Sequence, residues 1–181
     1  IGSWAFALMR DFWGRILTTG GFDCSRNNSF AQLIPAFALS MIGVGLAAPA
    51  AMSQTAWVAG VSYVASSFFV VAAVVLGAIK LVLGLRAMME NGANPDSAPS
   101  LWIAVPILTV VTIALMRQGH GMEAHFGSHG TPAETFALLT DMLSLQLAFA
   151  LFGLVVLLRP RYFRRFVPGP DRSPGSYALV C

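Results

Sequence analysis

The sequence predicts an all-α integral membrane protein: a bundle of helical hairpins with four transmembrane helices in this chain. Three observations carry that prediction. Four long apolar stretches, residues 30–52, 57–85, 101–116 and 136–158, dominate the 181 residues. Hydrophobic residues make up 56% and charged residues only 10%, with a mean hydropathy of +0.71, where a soluble domain carries about a quarter charged residues. Of the eleven Lys and Arg, all but Arg117 lie before the first stretch, late in or just after the second, or after the fourth. That is the positive-inside distribution, and it predicts both chain ends in the cytoplasm. The same distribution places the net charge of +3 at membrane edges and argues against a nucleic-acid partner.

Residues 1–29 divide into an interfacial helix and a polar cytoplasmic loop. Trp4, Leu8, Phe12 and Ile16 recur at helical spacing with Arg10, Asp11 and Arg15 between them. That suits a helix in the interface with Trp4 and Trp13 at headgroup level, or the tail of an earlier element. Ser29 is placed to cap the next helix. The chain starts without Met and stops in the apolar run 177–181, so it reads as a fragment. Cys24 and Cys181 both fall on the expected cytoplasmic side, which argues against a disulfide.

The first span, 30–52, is uncharged and long enough to cross a hydrocarbon core of about 30 Å. Pro35 and Pro49 interrupt it, and Ala36, Ser40, Gly43 and Ala47 form a small-residue face suited to close helix contact. A very short turn then predicts an antiparallel hairpin with span two. Ala59, Ser62, Ser66, Ala73 and Gly77 trace a second small face there, and Lys80 is expected to snorkel to the inner interface. Residues 86–100 read as a turn-rich loop. The third span is apolar only over 101–116, about 24 Å at helical rise, and Pro106 breaks it. The fourth, 136–158, contains Asp141 and Gln146. Residues 159–181 form a basic tail leading towards a further apolar run. Its arginines Arg159, Arg161, Arg164 and Arg165 read as a stop-transfer anchor or as headgroup contacts.

Prolines fall in spans one and three and are missing from spans two and four. A proline frees a carbonyl that protein or water must satisfy inside a membrane. The expectation is therefore two hairpins, each with a kinked inner helix and a straighter outer one.

At this point the chain resembles the TehA-type tellurite-resistance and dicarboxylate transporters, together with the slow anion channels of plants. Residues 30–85 are similar to one hairpin of that family and 101–158 to another. The segments 129–134 and 172–181 resemble its TsoY-like branch. The resemblance implies a larger ten-helix fold around a central pore, small inorganic or carboxylate anions as cargo, and a homo-oligomer, a trimer in the family. The family closes its pore with a phenylalanine on an inner helix. Here Phe68 and Phe69 fall on a straight span and Phe37 near a span end, so no gate residue carries over.

Asp141 is the sharpest single residue. An ionised carboxylate within a span costs about 2.5–3.5 kcal/mol on insertion scales, so it is expected to face the bundle, with Glu134 and Ser144 on a similar face. It reads either as a proton- or cation-coupled site or as a carboxylate at interface depth. Arg117, the exception to positive-inside, reads as an attractor of anions, or as a partner of Glu123 or a snorkelling end residue. The segment 117–130 is expected to be an outer loop, and it holds all three histidines. His120, Glu123, His125 and His129 offer ligands to a divalent metal, although Gly127 argues against a helical His125–His129 pair. A solvated loop is the alternative.

Phosphate-binding glycine loops, a Ser-His-Asp order and a Cys-x-x-Cys pair are all missing, so the chain reads as no enzyme. The expected function is passage of small anions through a bacterial inner membrane. The pathway would be lined by spans one and three with Ser40, Gly43, Pro35, Pro49 and Pro106, and attended by Arg117 and Asp141. Membrane lipids are the other expected partners, and no cofactor is expected beyond that metal. A membrane subunit of a redox or metal-handling system, using the His loop, is a second reading. An anchor for a cytoplasmic partner bound through the tail is a third.

Overall fold

A computed structural model describes residues 2–19, 29–92, 95–159 and 162–166. The described residues are almost entirely helical, without a strand among them: α1 (Gly2–Thr19), α2 (Ile34–Met52), α3 (Ala56–Asn91), α4 (Ala104–Phe126), α5 (Pro132–Leu158) and α6 (Tyr162–Phe166). Tight 3-10 turns at Phe30–Leu33 and Pro95–Ile103 lead into α2 and α4. Four segments are long and apolar enough to cross a membrane: Phe30–Met52, Ala56–Asn91, Ala98–Phe126 and Pro132–Leu158. Helix α1 forms where expected, with Trp4 and Leu8 exposed. The side chains of Phe12, Trp13 and Ile16, the loop at 20–28 with Cys24, and the tail beyond Phe166 lie outside the described residues.

Helix α2 is the central element, packed along α3 on one side and α4 on another, while α5 lies outermost against α4. Why α2 sits inside follows from its sequence. Leu33, Ala36, Ser40, Gly43, Ala47 and Ala50, spaced three and four apart, are all buried, and five of these six are small. Small residues at that spacing let helix backbones approach closely where lipid supplies no hydrophobic drive. The facing stripe of α3 repeats every seven residues, Ala59, Ser66, Ala73, Lys80 and Ala87, each buried. Lys80 therefore does not snorkel: at 4% exposure it lies inside the helix contact, because α3 runs on for eleven residues past it. The outward faces of α3 and α5 are rich in exposed Val, Leu and Phe, the composition of a lipid-facing surface.

The third span differs most from expectation. The apolar run stops at Met116, yet α4 continues to Phe126, so Arg117, His120, Glu123 and His125 are helical rather than parts of a loop. The cause is tertiary. Ile107, Val111, Ala114, Gln118 and Gly121 form one buried stripe that runs past the charged residue. Gly127, at φ 68°, then ends the helix in the left-handed conformation that glycine adopts without penalty. His129 falls beyond the end.

The proline expectation is also revised. Pro35 and Pro106 sit in the first turns of α2 and α4, where the missing N–H has no intrahelical role. Pro49 lies inside α2, and Pro99 inside the 3-10 turns that open the third span. The fourth span starts earlier than expected, at Pro132. Thr131 accepts from the Glu134 amide while the Glu134 carboxylate accepts from the Thr131 amide, a complete capping box. Glu134 is thus occupied at the helix start. Ser29 makes no side-chain cap. The Phe30 amide instead donates to Ser100 Oγ at 2.9 Å, tying the starts of α2 and α4 together. Beyond α5, Tyr162 and Phe166 stack at 4.9 Å between ring centroids and pack with Ala98 and Leu157.

Candidate functional site

Polar side chains meet inside the bundle at one level. Gln118 Nε2 donates to Ser66 Oγ at 2.8 Å, and Ser66 Oγ–H donates to the Gly43 carbonyl at 2.8 Å. The neighbouring residue, Arg117, donates through Nη1 to the Val44 carbonyl at 3.1 Å. Two successive carbonyls of α2 therefore accept from α3 and α4. By helical rise Arg117 lies about 13 Å from the end of α4, and Val44 about 12 Å from the end of α2. Both therefore lie more than two helical turns inside their helices.

The sequence places these groups for identifiable reasons. Gly121, one turn after Arg117, meets the backbone of Ala50 so closely that a Cβ there would collide with the Ala50 carbonyl. Gly43 packs against Val70 of α3. These two contacts draw α3 and α4 onto α2 and bring Gln118 within reach of Ser66. Pro49 has no N–H to donate to the Gly45 carbonyl, so the α2 ladder is weakened beside Val44.

Arg117 is half-buried and its guanidinium carries five N–H donors. The Val44 bond uses one of them. Among the described residues no carboxylate lies within ion-pairing distance of it, and Glu123 is not its partner. A cation at this depth costs about 2.5–3.5 kcal/mol on insertion scales, and one backbone carbonyl offsets only part of that. The arrangement leaves donors able to hold an anion in the interior of a helix bundle.

The other sequence-predicted residues lie apart from this level. Ser40 is fully buried and donates to its own helix at the Phe37 carbonyl, while Gly43 is closed over by α3. Neither opens on a passage among the described residues. Pro35 and Pro106 sit at helix starts, and Pro49 is exposed near the end of α2. Asp141 does not face the bundle. It is exposed about 13 Å into α5 by helical rise, because α5 turns Leu138, Met142, Gln146 and Gly153 towards its neighbours instead. Gln146 Nε2 reaches Thr109 Oγ1 at 3.1 Å, and Trp102 Nε1 donates to the Ala150 carbonyl at 3.1 Å. Ser144 is exposed and bonds its own helix at Thr140.

The histidines do not converge. His125 Nε2 lies 2.8 Å from the Ser53 carbonyl and links the end of α4 to the turn between α2 and α3, whereas His120 and His129 are exposed. Among the described residues no three His, Cys, Asp or Glu come together as a metal-holding group. Sequence reasoning passed over Gln118. Its signal was periodic: it falls four residues after Ala114 and seven after Val111 on the stripe that meets α2.

Compared with protein-family models, curated proteins and solved structures, the chain shows no match.

Proposed function

We propose that this chain forms part of a membrane conduit for small anions, inorganic or carboxylate, with Arg117 as the group that draws the anion to mid-membrane depth. The observation that carries the reading is the half-buried guanidinium. It is held by one backbone carbonyl and stands without a carboxylate among the described residues. Arginine stays charged at any physiological pH, and its fork matches planar or tetrahedral oxyanions. Cationic side chains lining a pore select anions in the same way. The passage runs along the flank of α4 that carries Arg117, and further helices or copies close it. The likeness in hairpin pattern to the TehA-type family supports the same cargo and a bacterial inner membrane as the setting. The distribution of Lys and Arg supports cytoplasmic chain ends, with the 53–55 turn and the 127–131 loop outside.

Anion flux into liposomes carrying the protein tests this reading, with chloride, nitrate and a four-carbon dicarboxylate as probes. Protein-dependent flux is expected for at least one of them. Arg117→Gln should lower it by about tenfold or more, the factor that about 1.4 kcal/mol represents, and Arg117→Lys should keep part of it. Liposomes as tight as empty ones to all three anions overturn the proposal.

A further inference from the structure

We infer that Asp141 of one copy of this chain pairs with Arg117 of a second copy, in a head-to-tail contact between membrane-embedded subunits. The inference rests on the conduit reading and deepens it, because it names the group that competes with the anion for Arg117. Two opposite charges lie within the membrane segments, and neither finds its counter-charge among the described residues of its own chain. Among the described residues Arg117 bonds only the Val44 carbonyl. Asp141 is exposed on α5 and forms no ion pair among the described residues.

Their levels match. The bond between Thr109 and Gln146 and that between Trp102 and Ala150 fix the antiparallel register of α4 and α5. The first bond sets Asp141 about 4.5 Å and the second about 9 Å along the axis from the level of Arg117, one to two helical turns, a gap that the long arginine side chain bridges. Two copies inserted the same way up keep this match automatically, whereas an unrelated partner has to supply a cation at that depth independently.

The face around Asp141 is suited to close approach. Ala137, Thr140, Ser144 and Ala148 surround it, and all are exposed. The hydroxyls of Thr140 and Ser144 are already satisfied by the Phe136 and Thr140 carbonyls of their own helix, so covering them strands no polar group. Small residues at this spacing let membrane helices come close. Helix α5 also has room for a partner: only 11% of its most apolar window is buried, against 50% for the segment containing α4. A two-fold contact through this face would set Asp141 against Asp141, like charge against like. The pairing of unlike residues on different surfaces is heterologous instead.

Within the assembly, a neighbour's carboxylate and a passing anion compete for the guanidinium donors not used on Val44. Neutralising Asp141 therefore frees Arg117 for the anion.

The test uses two differently tagged forms of the full chain, both with Cys24→Ser and Cys181→Ser. One carries Arg117→Cys and the other Asp141→Cys, and they are co-expressed and treated in native membranes with a short, membrane-permeant bifunctional thiol reagent. A mixed cross-linked dimer is expected. Its absence, or a yield no higher than from two Asp141→Cys chains, overturns the pairing. Because Arg117→Cys removes a bundle contact, a second measurement avoids that residue. Asp141→Asn, at an exposed site, should lower co-purification of the two tags from lipid nanodiscs at least fivefold. Unchanged co-purification overturns the pairing as well. Both readouts are independent of flux. Flux without cross-linking removes this inference and leaves the conduit; cross-linking without flux does the reverse.

Discussion

At the level of single residues, the bundle depends on small side chains that admit large or polar ones. Gly121 shows this most sharply, because its neighbour is the backbone of Ala50 and not a side chain that can swing away. Gly121→Ala should therefore push α4 off α2 and destabilise the fold by about 1–3 kcal/mol, the usual cost of overpacking. Gly45, with open space around its Cβ position, should tolerate alanine. Thermal unfolding of the two variants in detergent should separate them clearly; equal midpoints would contradict the close contact. The polar relay is worth less. Gln118→Leu removes one interhelical hydrogen bond and should cost about 1 kcal/mol, since such bonds in membranes average about 0.6 and reach about 1.7. Ser66→Ala should cost more, because it strands the buried Gln118 amide. Much of this was legible in the sequence. Ala36, Ser40, Gly43 and Ala47 were readable as a contact face from spacing alone, and all four are buried. The roles of Arg117 and Asp141 were not readable in the same way. Composition shows that a charge lies in or near a span, but the face it takes depends on where neighbouring helices stop. Asp141 was expected inward on cost alone, and α5 turns it outward because its Leu138, Met142 and Gln146 face meets the bundle.

Among the elements, helix ends separate what hydropathy reads from what packing decides. Span one and the start of span two were legible almost to the residue because their turn at 53–55 is short and polar between two apolar runs. The end of span two was not: α3 runs six residues past Leu85 to Asn91, and Pro95–Ile103, expected in part as loop, is a 3-10 helix. Helix α4 was not legible either, since an apolar count stops at a charged residue while a helix stops when its partners or its backbone require it. The α2-facing stripe continues through Gln118 and Gly121, and Gly127 supplies the stop. The proline reading failed for a related reason. A proline inside an apolar run looks like a kink until the helix start is known, and Pro35 and Pro106 both prove to be first-turn residues. The start of α5 was equally open to reading, as Thr131, Pro132 and Glu134 fit the capping-box spacing within a run taken for loop. Thr131→Ala breaks one half of that box on an exposed helix end and should cost about 1 kcal/mol. Loss of amide protection confined to the first turn of α5, with later amides unchanged, is the expected hydrogen-exchange signature. Uniform loss along α5 would mean that the box holds the whole helix against α4.

For the whole molecule, two antiparallel hairpins with α2 and α4 back to back require that their two turns share one side of the membrane. The 53–55 turn is tied to the last turn of α4, just before the 127–131 loop, through His125 Nε2 and the Ser53 carbonyl. At the other end, the Phe30 amide on Ser100 Oγ joins the starts of α2 and α4. Helix α3, at 36 residues, spans about 54 Å by helical rise, well beyond a hydrocarbon core of about 30 Å. A crossing α3 is therefore expected to carry its last turns, with the exposed Arg86–Glu90 ion pair at 2.7 Å, past the core on the side opposite the turns. These relations predict a pattern of accessibility that hydropathy alone leaves open. With Cys24→Ser and Cys181→Ser as background, single cysteines at Gln54 and Ser128, both exposed, should react with an impermeant maleimide applied from the same side of sealed vesicles. A cysteine at Glu90 should react only from the other side, and one at Val74, exposed yet mid-helix, from neither until detergent is added. If Gln54 and Glu90 label from one side, α3 does not cross, and both the hairpin arrangement and the placement of Arg117 at mid-membrane depth fall with it.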